Sequence, residues 1–182
     1  SAWVPPPKYA RPSLDLEGLL GEQPVWGRFW ALSGVDADTS SALAAARHTL
    51  HRRLASLAPG MDYGLIHADV VRENVLLDKQ RFSFIDFDDC ATGFRVYDLA
   101  TCLVKSRFEP RYVAMEAAML RGYQSVRTFT AEELQALPLF IAVRALSLVG
   151  WMEQRIADPD AVQRRNQFLA EAQAELRALS LA

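Results

Sequence analysis

The sequence predicts an α+β fold that is mostly helical, with a small β hairpin among its strands. Two observations predict it. From Tyr97 onward, apolar residues recur at helical spacing almost to the end of the chain, whereas only residues 63–87 read as short, partly β-branched runs between polar turns. A third observation bounds the size: 182 residues fit one domain with a sizeable core.

The elements follow in order. Pro5, Pro6, Pro7 and Pro12 exclude a helix or a central strand over residues 1–13, which read as an extended arm or linker docked by Trp3 and Tyr9. The domain proper is expected over residues 14–182, beginning with a short helix at 14–20 and aromatic residues at Trp26, Phe29 and Trp30. Leu43, Ala46, Leu50, Leu54 and Leu57 place a helix over 39–57, which Pro59-Gly60 ends. Short strands are expected at 63–67, 75–78 and 81–87, the last two joined by a turn at Asp78-Lys79-Gln80. Pro110 is expected as the first residue of a helix. Thr130 and Glu133 have capping-box spacing, in which each side chain accepts from the other residue's backbone N–H. The helix they open, to about residue 156, is apolar around most of its circumference and belongs at the centre of the domain. Asp158-Pro159 opens a last helix with Val162, Phe168, Leu169, Ala172, Leu176 and Leu179 inward.

Composition excludes several classes. Hydrophobic residues make up 51% and charged residues 23%, with a formal net charge of -2. Nothing shows the basic excess of a nucleic-acid binder. The longest apolar stretch, 134–151, is interrupted by Arg144, and no membrane partner is expected. Cys90 and Cys102 form neither a disulfide framework nor a metal knuckle, so the expected compartment is the cytoplasm.

The polar loops carry the chemistry. His67-Ala68-Asp69 is followed by Asn74, then by Asp86-Phe87-Asp88-Asp89, then by Tyr97-Asp98-Leu99-Ala100. Phosphoryl transfer needs a carboxylate to orient the attacking hydroxyl and take its proton, and hard oxygen ligands for metal ions that bridge the phosphates. An H-x-D-x-x-x-x-N run with a second Asp about a dozen residues later supplies that set. A hairpin over 75–87 returns Asn74 and Asp86 to the same end. Asp86 is expected to end an apolar strand, where burial without a partner would be costly, and this favours a metal or hydrogen-bond role. The other polar residues have plainer readings. Glu73 is expected as a solvated loop charge, His48 and His51 as surface residues of one helix, and Cys90 as a small packing residue. Arg95 is left open between a phosphate and Asp98.

With these motifs the sequence resembles the aminoglycoside phosphotransferase (choline kinase-like) family, over roughly residues 14–180, the C-terminal lobe of a protein-kinase-like fold. The family's loop reads H-G-D-x-x-x-x-N, and Ala68 stands where Gly is usual. The resemblance implies Asp69 as catalytic base, and Asn74 and Asp86 as Mg²⁺ ligands. It implies His67 as a loop support bonding backbone near Asp86, and Asp98 as a buried support or helix cap. Asp88 faces the metal, the substrate or solvent. ATP and Mg²⁺ are the implied co-substrate and cofactor, and the implied acceptor is a small hydroxyl-bearing molecule, with cationic ones included.

The resemblance also implies parts that the sequence does not contain. No G-x-G-x-x-G occurs, and none of Lys8, Lys79 and Lys105 sits in a V-x-x-K strand. The expectation is that a nucleotide-binding lobe of about 100 residues lies upstream in a longer protein, and that this truncated chain transfers no phosphate alone. Two rivals remain: a non-catalytic pseudokinase or binding lobe, and a D-x-D phosphatase with Asp86 as nucleophile.

Overall fold

The computed structural model describes residues 11–79 and 81–181. The expectations for Trp3, Tyr9, Lys8 and the first three prolines, and for Gln80 in its turn, lie outside those residues. The described chain is mostly helical, with two small sheets.

One sheet is built from β1 (Ser13–Leu14), β2 (Tyr63–Ile66) and β5 (Ala91–Phe94), with β5 in the centre, parallel to β1 and antiparallel to β2. Gly93 makes the close packing possible: a Cβ there would lie 2.5 Å from Ile66 Cδ1 and 3.1 Å from the Leu14 Cβ. The residues expected as an arm therefore reach into the fold at their end, since the Pro12 carbonyl accepts from Thr92 N at 3.1 Å. The second sheet is the expected hairpin, β3 (Val75–Asp78) with β4 (Arg81–Phe84), pairing Val75 with Phe84 and Asp78 with Arg81.

The helices are α1 (Leu16–Leu20), α2 (Ala37–Leu57), α3 (Val96–Val104), α4 (Tyr112–Gln124), α5 (Ala131–Glu153) and α6 (Ala161–Ala178). On α2, Leu43, Ala46, Leu50 and Leu54 are buried, as their spacing demands. The capping box is present at the start of α5, where Thr130 Oγ1 accepts from Glu133 N and Glu133 accepts from Thr130 N. The second Glu133 oxygen accepts from Asp62 N at 2.9 Å and ties α5 to the start of β2. Every residue of α5 from Leu139 to Gly150 is buried. By length and composition α5 could cross a membrane, yet 78% of that apolar stretch is enclosed by the fold, chiefly by α3 and α6.

Three expectations shift. Helix α4 opens at Tyr112 rather than Pro110, and α6 opens at Ala161, after Asp160 turns the chain at φ 62°. Val162 is 51% exposed, because the inward stripe of α6 is Ala161, Arg165, Leu169, Ala172 and Leu176. Arg165 keeps its charge inside by pairing with Glu153 at 2.7 Å and donating to the Ser33 carbonyl.

Candidate active site

The loop between β2 and β3 turns at Ala68, whose φ of 66° lies in the left-handed region. An L residue carries about 1–2 kcal/mol of strain there, and glycine carries none. Asp98, in the first turn of α3, holds this turn from below. Its two oxygens accept from His67 N at 2.9 Å and Ala68 N at 2.8 Å. Burial raises the proton affinity of Asp98 above the usual carboxylate range, against the pull of those two amides.

His67 is buried and tied on both sides of its ring. Nε2 donates to the Ile85 carbonyl at 3.0 Å, while Nδ1 accepts from Asp69 N at 3.4 Å. The pattern describes a neutral ring protonated at Nε2. It anchors the hairpin's return to the loop, and the Ile85 N to Asn74 O bond at 3.1 Å closes the same end. The structure thus brings Asn74 and the Ile85-Asp86 segment together, through pairing that the hairpin register enforces.

Asp69 has both carboxylate oxygens engaged. Asn74 Nδ2 donates to Oδ2 at 3.1 Å and to the Asp69 carbonyl at 3.0 Å. Arg144, from the middle of α5, donates to Oδ1 at 2.7 Å. Arg144 is a residue of this candidate site that the sequence reading missed, since it appeared there only as an interruption of an apolar run. Its side chain is 5% exposed, and its guanidinium lies 5.7 Å from the Trp26 ring and 5.9 Å from the Tyr97 ring. Arg144 Nε, Trp26 Nε1 and the Tyr97 hydroxyl are buried without a hydrogen-bond partner among the described residues.

Asp86 departs from its expectation. Strand β4 stops at Phe84, and Phe84, Ile85, Asp86 and Phe87 are all exposed, so no burial cost argues for a partner. Asp86 sits at φ 63°, which Asp tolerates better than most residues. Asp88 is exposed as well, and among the described residues only its backbone carbonyl is engaged, by Arg11. The next carboxylate, Asp89, turns inward beside Asp69. Burial, then the nearby Asp69 charge, raises its proton affinity. Arg95 does not pair with Asp98: it pairs with Asp62 at 3.3 Å and donates to the Leu65 carbonyl. Glu73 faces Lys105 at 3.4 Å, and His51 faces Glu17 at the same distance.

A cavity of about 120 Å³ opens beside Asp69, lined by Asp69, Asp89 and Arg144 and by Trp26, Trp151 and Phe168 among others. Trp26 is delivered by a loop that lies on α5 at Gly150, where a Cβ would meet the Gly27 carbonyl at 2.5 Å and the Trp26 carbonyl at 2.6 Å. Below the loop, burial pushes the Cys102 thiol up to about 12. At pH 8 about one such thiol in 10⁴ is ionised, so iodoacetamide should leave Cys102 unmodified in the folded protein and alkylate it after denaturation. Mass spectrometry of the two samples reads this directly.

Metal chemistry is supported by donor type. Asn74 has committed its amide nitrogen to two acceptors on Asp69, which leaves Oδ1 available, and the Asp86 carboxylate makes no hydrogen bond among the described residues. No group of three or more His, Cys, Asp or Glu among the described residues is placed to enclose an ion. Two hard oxygens fit Mg²⁺, which takes one or two protein ligands and completes its shell with phosphate and water.

Comparisons with known proteins place these features. Residues 14–137 match the model of a family described as the phosphotransferase enzyme family. A protein of Deinococcus radiodurans described as uncharacterized is 33% identical over 158 residues, which are 81% of this chain and 44% of that protein. A homoserine kinase of Acidiphilium cryptum is 40% identical over 97 residues, 51% of this chain and 30% of its own length. Among solved structures, a microcompartment-associated aminopropanol kinase superposes with a TM-score of 0.83 at 33% identity, covering 98% of this chain and 57% of that one. An amicoumacin kinase in complex with AMP-PNP, Ca²⁺ and Ami, at 21% identity and TM-score 0.69, shares the fold. The chain thus spans less than half of these curated relatives and a little over half of the solved kinases.

Proposed function

The chain belongs to the phosphotransferase enzyme family and has a protein-kinase-like fold, and on that premise we propose that it is the catalytic and acceptor-binding lobe of an ATP-dependent small-molecule kinase. The observation that carries this reading is the Asp69 carboxylate, held from two sides at the edge of a cavity, next to the hairpin end that presents Asn74 and Asp86.

In this reading Asp69 accepts a hydrogen bond from the acceptor hydroxyl and aims its oxygen at the γ-phosphorus. A new O–P bond forms, the bond from the γ-phosphorus to the β,γ-bridging oxygen breaks, ADP leaves, and the hydroxyl proton passes to Asp69. Asn74 Oδ1 and Asp86 would hold Mg²⁺, which when bound offsets phosphate charge. His67 and Asp98 fix the loop through backbone contacts, and Asp88 borders the metal side. The nucleotide would be covered by a further lobe in cis. Leu76, Leu77, Phe82 and Phe84 of the hairpin are each more than half exposed, and they offer such a lobe an apolar seat. The names of the relatives point to an acceptor that carries an amine: an amino alcohol or a hydroxy amino acid.

The test is ATP consumption by the full-length gene product against a panel of amino alcohols, hydroxy amino acids, sugars and aminoglycosides. ADP release that depends on none of them would defeat the reading. Arg144 gives a second test. Arg144→Met keeps most of the side-chain volume but removes the clamp on Oδ1. The kcat is expected to fall about 10²-fold, the scale of a reacting group displaced by about an ångström, with the KM for ATP unchanged.

A further inference from the structure

The cavity beside Asp69 is small, at about 120 Å³, against the ~300–1,000 Å³ of pockets that enclose drug-sized ligands. It suits a molecule the size of an amino acid. Its charged side chains sort into pairs and singles. Arg144 pairs with Asp69 at 2.7 Å, and Lys105 faces Glu73 at 3.4 Å. Two remain. Asp89, half-buried and within the field of Arg144 and Arg155, and the exposed Arg164 side chain make no hydrogen bond or close ion pair among the described residues, yet both line this cavity. They carry opposite charge and come from separate elements, Asp89 from the turn after the hairpin and Arg164 from α6.

We propose that this cavity selects a zwitterionic acceptor, a hydroxy amino acid, with its ammonium against Asp89 and its carboxylate against Arg164. The inference rests on the kinase reading and narrows it. A neutral sugar would offer neither side chain a partner of opposite charge. A simple amino alcohol would satisfy Asp89 and leave Arg164 idle. The zwitterion answers both, and its hydroxyl is left for Asp69. Trp26, Trp151 and Phe168 give the cavity apolar walls, beside which charge pairing is stronger than in open solvent.

The experiment compares three molecules that differ by one charge. L-homoserine carries both groups, 3-amino-1-propanol lacks the carboxylate, and 4-hydroxybutanoate lacks the ammonium. Using the full-length gene product, kcat/KM is measured for each, and binding is measured separately by calorimetry. The zwitterion is expected to exceed both analogues by about tenfold or more, the scale of one hydrogen-bonded charge. Arg164→Gln should cost about tenfold in KM for L-homoserine and nothing for 3-amino-1-propanol. Asp89→Asn should weaken both amines and spare 4-hydroxybutanoate. Equal kcat/KM for the zwitterion and the amino alcohol, or an equal loss for both in the Arg164 variant, would overturn the selectivity and leave the kinase reading standing. Preferential binding of the zwitterion without phosphate transfer would support the cavity assignment and overturn the kinase reading. A protein that binds none of the three overturns the cavity assignment.

Discussion

Replacing Asp69 by Asn in the full-length gene product is expected to lower kcat by about 10³-fold, within the ~10²–10⁴ range for removal of a positioned base, while leaving the Kd for nucleotide unchanged. The separation follows from geometry. Asp69 faces the cavity, whereas the oxygens assigned to metal belong to Asn74 and Asp86. The substitution keeps the shape of the side chain, but an amide offers one acceptor oxygen where the carboxylate offers two. Asn74 Nδ2 and Arg144 now engage different oxygens of Asp69, so one of them loses its acceptor. A modest fall in melting temperature accompanies the loss of turnover for that reason. Full activity in this variant would move the base elsewhere, and Asp89 would be the next carboxylate to test.

Removing Asp86 should instead strike nucleotide binding. Asp86→Ala is expected to weaken Mg²⁺-dependent nucleotide affinity by more than the ~10–100-fold that follows loss of a metal's outer-shell partner, with metal-free nucleotide binding unaffected. Alanine also introduces a backbone cost at φ 63°. Asp86→Asn separates the two effects, because Asn tolerates that conformation and loses only the charge. Titration of nucleotide with and without Mg²⁺ for both variants decides the matter. Undiminished Mg²⁺ dependence in the Asn and Ala variants alike would show that Asp86 is no ligand.

Much of the candidate site's layout was legible because its residues are close in sequence and their placement depends on spacing. His67, Asp69 and Asn74 occupy one loop, and the hairpin that returns Asp86 follows from two apolar runs around a polar turn. The long helix was legible for the same reason, since its cap and its apolar circumference are local properties. Features that depend on distant pairing were not. Strands β1 and β5 are too short to show alternation, and β5 carries Gly93, which only makes sense once Ile66 and Leu14 lie on either side of it. Asp89 looked like one more acid after Asp88, because the direction of a turn decides which of them faces inward. Arg144 had a signal that went unused. A guanidinium in the middle of a buried helical run must have an anionic partner, and that partner is Asp69.

Helix α5 fastens three distant parts of the molecule along one axis: Glu133 at the start of β2, Arg144 at Asp69, and Gly150 under the Trp26 loop. At about 1.5 Å of rise and 100° of turn per residue, it works as a ruler with three engraved marks. Side chains along it can be exchanged one at a time, but its length between marks cannot change. One residue added between Glu133 and Arg144 would swing every later mark by about 100° and carry the guanidinium away from the carboxylate it serves. Changes of chain length in this protein are therefore expected outside α5, in the connections on either side of it.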